Sequence, residues 1–111
     1  MAVRVTVAVA AVLQIFLDDV AEPRYGYELM RATGFASGKL YPILARLEND
    51  GWLDAQFEQI DAAQAGRPPR RWYRLTDDGL IAARYEMAVL RRQLAPAARR
   101  RTRPGLAGGP A

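Results

Sequence analysis

The chain has 111 residues, 50% of them hydrophobic, with 16 Lys and Arg against 12 Asp and Glu and a formal net charge of +4. That length fits one small domain. Neither cysteine nor histidine is present, which excludes disulfides, thiolate zinc sites, cysteine nucleophiles and histidine as a general base, and leaves little from which to build an enzyme.

The apolar stretch from Ala2 to Leu17 ends in Asp18-Asp19 without a small-residue cleavage pattern. It is also too short for a membrane span of ~20 residues. It reads as a buried helix over about 3–19, with Val9, Val12, Leu13, Phe16 and Val20 at helical spacing. The alternating Val3, Val5 and Val7 fit a short strand equally well. Pro23 breaks the chain, and a second short helix is expected over about 25–32, closed by Thr33-Gly34.

Ser37 is the expected N-cap of a third helix, about 37–50, with Pro42 placed near its first turn. Leu40, Ile43, Leu44 and Leu47 form one apolar stripe. Two short helices joined by a tight turn predict a helix-turn-helix. Off the stripe lie Lys39, Tyr41, Pro42 and Arg46. These residues fit either a DNA-reading surface or an ordinary solvated face.

Leu53, Ala55 and Phe57 alternate with polar residues, a half-buried strand, and 70–75 alternates again. Between them, 61–69 is an expected loop, which makes a β-hairpin wing over about 53–75. Arg67, Arg70 and Arg71 flank Pro68-Pro69 at its tip, as phosphate contacts or as a solubilising loop. Tyr25 is a further candidate phosphate contact. Of Trp72 and Tyr73, which point to opposite faces, at least one is expected in the core.

Thr76 should cap a last helix. Along it Leu80, Ala83, Met87, Leu90 and Leu94 repeat at spacings of three and four, a heptad seam that serves either the chain's own core or self-association. Pro96 marks its expected end, and 97–111 is expected to be a disordered basic tail. The predicted fold is therefore mainly α with a small β-hairpin wing: a winged helix-turn-helix over 1–76 and a dimerisation helix over 77–96.

The charge splits along the chain. Residues 1–66 hold five basic against nine acidic side chains, and residues 67–111 hold eleven arginines against three acids. An anionic partner for the second half is expected, with double-stranded DNA foremost.

Tyr25-Gly26-Tyr27-Glu28-Leu29, then Ser37-Gly38-Lys39-Leu40-Tyr41-Pro42-Ile43-Leu44 with Arg46-Leu47-Glu48, then Arg70-Arg71-Trp72-Tyr73-Arg74-Leu75-Thr76 resemble the PadR family of transcriptional regulators over about 3–95. The single short helix after Gly79 resembles its short-tailed subgroup. The resemblance implies a cytoplasmic winged-helix homodimer that binds a pseudo-palindromic operator, usually as a repressor, with no cofactor or metal and no membrane. It also implies that the last helix pairs with the partner's N-terminal helix, which brings in Val9 and Leu13. The start of the third helix, Ser37-Gly38-Lys39, the Tyr41 region and the Arg70-Arg71 wing would meet DNA. Some members hold aromatic molecules with a tryptophan on the last helix. Here that helix has Tyr85 and no tryptophan, so no residue is assigned to a small-molecule effector. A winged-helix module that binds another protein, or a small-molecule sensor without a direct DNA role, is the alternative.

Overall fold

The computed structural model describes residues 4–108, with side chains described through 95. Helix α1 is Val7–Asp18, strand β1 Arg24–Tyr25, helix α2 Gly26–Thr33 and helix α3 Ser37–Asn49. Strand β2 is Leu53–Phe57, helix α4 Ala62–Ala65, strand β3 Arg71–Leu75 and helix α5 Asp77–Gly108.

α1 starts later than expected because Thr6 supplies its cap, its Oγ1 accepting from the Val9 N–H at 3.2 Å. Val3 lies outside the described residues. Val9, Val12, Leu13 and Phe16 fill one face of α1 and are at most 2% exposed. β1 was not anticipated. After Pro23 the chain pairs antiparallel with β3, Arg24 opposite Tyr73 and Tyr25 opposite Trp72. Glu28 then accepts from the Tyr25 N–H at 2.9 Å and fixes the first turn of α2. Gly34 ends α2 in the left-handed conformation, φ 77°, its N–H on the Met30 carbonyl.

Ser37 proves to be the first helical residue of α3 rather than its cap. The cap is Ala36, which has no side-chain acceptor to give; its carbonyl takes the Lys39 and Leu40 N–H groups instead. Pro42 lies in the helix interior. It denies a donor to the Gly38 carbonyl four residues back, and Gly38 is exposed to water. The stripe of Leu40, Ile43, Leu44 and Leu47 is buried as expected. Each fully buried leucine contributes about 1.5–3 kcal/mol of transfer free energy.

The sheet runs β1-β3-β2, with Leu53 opposite Leu75 and Phe57 opposite Arg71. Tyr73 is its core aromatic, 4% exposed. Phe57, expected on the buried face, is 58% exposed at the end of β2, where burial falls away along the strand. The expected loop holds α4, capped by the Asp61 carboxylate and closed at Gly66.

Thr76 joins sheet to helix. Its Oγ1 donates to the Gly51 carbonyl at 2.6 Å and accepts from the Gly79 N–H at 2.9 Å. α5 does not stop at Pro96: helical backbone continues through Pro96 and Pro104 to Gly108, across most of the span expected to be disordered. Pro96 leaves the Arg92 carbonyl four residues back without its helical donor, while the alanines and arginines around it are strong helix formers. Residues 109–111 lie outside the described residues. Among the described residues no helix is long and apolar enough to cross a membrane.

Candidate nucleic-acid interface

The outer face of α3 presents Ser37, Gly38, Lys39, Tyr41, Pro42 and Arg46, all exposed. Lys39 Nζ sits 4.3 Å above the Phe35 ring, which anchors the ammonium at the helix start. The Tyr41 ring lies across Gly26, the first residue of α2, so closely that a β-carbon there would fall 2.8 Å from Tyr41 Cζ. Two helices of the motif thus meet through an aromatic ring and a glycine. Tyr41 still keeps 42% of its surface exposed.

The wing is organised by Glu58. Its carboxylate accepts from both terminal nitrogens of Arg67, at 2.6 and 3.2 Å, and from the Arg70 N–H at 2.8 Å. The Glu58 N–H in turn donates to the Arg70 carbonyl at 2.9 Å. The Arg67 hydrogen bonds, and then the Arg70 N–H, hold the Glu58 carboxyl down to about 2. The pairing with Glu58 raises Arg67 correspondingly. The Arg70 guanidinium lies 5.0 Å above the Tyr27 ring, which stacks on Tyr25 at 5.7 Å. Arg71 gives Nη2 to both Glu48 oxygens, at 2.9 and 2.7 Å.

These contacts revise the expected wing. Arg67 and Arg71, read as open contacts at the tip, are both engaged by carboxylates of the same chain. Arg70 keeps an exposed guanidinium. Tyr25 is half-buried at the β1–α2 junction, and Tyr27 is 44% exposed beneath Arg70. Sequence reasoning missed Gly26, Tyr27, Glu48 and Glu58. The Tyr-Gly-Tyr spacing carried a signal for the first two. The carboxylates gave none, since their partners lie 9 to 23 residues away.

The expected dimer residues divide. Val9, Leu13, Ala83 and Met87 are buried in the chain's own core, where α5 packs on α1. Leu80 and Leu90 are half-buried against that core. Leu94, beyond its reach, is 59% exposed. Val7, Ile81 and Tyr85 are also exposed apolar positions that the heptad spacing did not point to.

Three helices, a helix-turn-helix at α2–α3 and a β2–β3 hairpin after it define a winged helix-turn-helix protein. The model of the transcriptional regulator PadR-like family matches residues 12–84, and the chain belongs to that family. Its members are transcription factors. Among similar solved structures is a PadR-like transcription factor from Bacteroides fragilis, 24% identical, covering 83% of this chain and 86% of that one, TM-score 0.63. A PadR-like regulator from Bacillus cereus is 22% identical, with coverages of 83% and 91% and TM-score 0.57. The PcaV transcriptional regulator from Streptomyces coelicolor is 23% identical, with coverages of 92% and 74% and TM-score 0.64. At these identities the likeness is one of fold. No curated protein sequence matches the chain.

Proposed function

We propose that this chain is a homodimeric, sequence-specific DNA-binding repressor of transcription, acting in the cytoplasm. α3 enters the major groove and the wing over 53–75 lies along the backbone. The carrying observation is the outer face of α3: a row of small, hydroxylated and cationic residues, Ser37 to Arg46, exposed on a helix whose other face is locked into the core. Tyr41, Lys39 and Arg46 supply base-edge and phosphate contacts, and Arg70 supplies the wing's grip.

Dimerisation runs through α5. Leu94 meets the partner, Leu90 and then Leu80 continue the contact back along the helix, and the buried Val9, Leu13, Ala83 and Met87 stiffen the platform beneath. Two α3 helices would then reach successive major grooves ~34 Å apart on a pseudo-palindromic operator. Occupancy of an operator that overlaps a promoter blocks polymerase.

Mobility shift on a duplex recovered from a random library by the wild-type chain tests this. Tyr41→Ala and Arg46→Ala are each expected to weaken binding roughly ten-fold or more, as loss of a specific contact does. Leu94→Asp is expected to sediment as a monomer and bind poorly. Unchanged affinity in both α3 variants removes α3 from the interface, and a dimeric Leu94→Asp removes α5 from the dimer contact.

A further inference from the structure

The last turn of α3 carries an acid on the side that would face DNA. Glu48 lies seven residues after Tyr41, so it sits two turns along the same stripe, ~10 Å away. A carboxylate there opposes the phosphate backbone, yet both of its oxygens are directed at Arg71. The Arg71 guanidinium is held on other sides as well, 5.7 Å from the Tyr73 ring and 5.9 Å from the Phe57 ring. Its neighbour Arg70 is treated differently. Glu58 binds the Arg70 backbone N–H, and the Arg70 guanidinium lies over Tyr27 with no carboxylate paired to it among the described residues. Adjacent arginines of one wing therefore present unequal charge.

Binding to phosphates is driven by release of counterions and is blind to sequence. A guanidinium already paired with a carboxylate displaces few counterions. We infer that Glu48 is a specificity-determining residue: by holding Arg71 it withholds one positive charge from the backbone and limits the protein's hold on DNA of the wrong sequence. This rests on the DNA-binding reading above. Weak non-specific binding matters because competing genomic sites far outnumber operators.

Titration of random-sequence duplex DNA across a salt series decides it, with wild type, E48Q and the double variant E48Q/R71A. Gln keeps the shape of Glu48 and releases Arg71. E48Q is expected to bind the random duplex several-fold more tightly at low salt, with the slope of log K against log salt steeper by ~0.9. E48Q/R71A removes both charges and is expected to return to the wild-type slope. If Arg71 already grips phosphate in the wild type, the double variant is instead shallower by ~0.9. That result, or an unchanged E48Q slope in a wild type that binds, overturns the inference alone. A wild type that binds neither random nor selected duplex overturns the DNA reading and this inference with it.

Discussion

Gly79→Ala is expected to lower the thermal midpoint by about 10 °C or more, the equivalent of roughly 3 kcal/mol in a domain of this size. Gly79 is the third residue of α5 and is buried. A β-carbon there would overlap the Trp52 carbonyl oxygen and lie 2.7 Å from its carbonyl carbon. That carbonyl belongs to backbone, not to a flexible side chain. It is further fixed by the Thr76 N–H at 3.0 Å. Relief therefore requires α5 to lift from the sheet, which strips Ala83 and Met87 from the core. Thermal unfolding followed by circular dichroism measures the loss. A midpoint within a few degrees of wild type would show that α5 can shift without cost, and that the Thr76 junction does not set its position.

Gly26→Ala is expected to abolish tight DNA binding and to cost less stability than Gly79→Ala. Here the obstacle is the Tyr41 ring, whose hydroxyl end is free to swing toward water. The fold survives by displacing Tyr41, and the α3 surface loses its shape. Adding Tyr41→Ala to Gly26→Ala removes the clash, so stability is expected to recover while binding does not. Paired thermal melts and mobility shifts separate the two effects. A Gly26→Ala chain that binds like wild type would mean that the position of Tyr41 is irrelevant to DNA.

The two glycines also show how much the sequence alone conveyed. The α3 stripe was legible because Leu40, Ile43, Leu44 and Leu47 repeat at the helical period, and everything off that stripe followed as outer face. The hairpin was legible because alternation and a Pro-rich break bound it. β1 was not legible: two residues carry no period, and its partner β3 lies nearly fifty positions downstream. The engagement of Arg67 and Arg71 was hidden for a related reason. Sequence shows a cluster of arginines at the tip, whereas the fold brings Glu58 and Glu48 to two of them. The heptad spacing was legible as a period on α5. Along it Ala83 and Met87 are buried in the chain's own core, Leu80 and Leu90 lie half-buried against that core, and Leu94 is exposed.

The most direct test of the central claim is an NMR titration of the wild-type chain with the duplex it selects from a random library. Amide shifts are expected to concentrate at 37–46 in α3 and around Arg70 in the wing, with the exposed faces of Ile81 and Tyr85 unmoved. Shifts confined to α1 and α5, with α3 silent, would contradict DNA recognition by this helix-turn-helix.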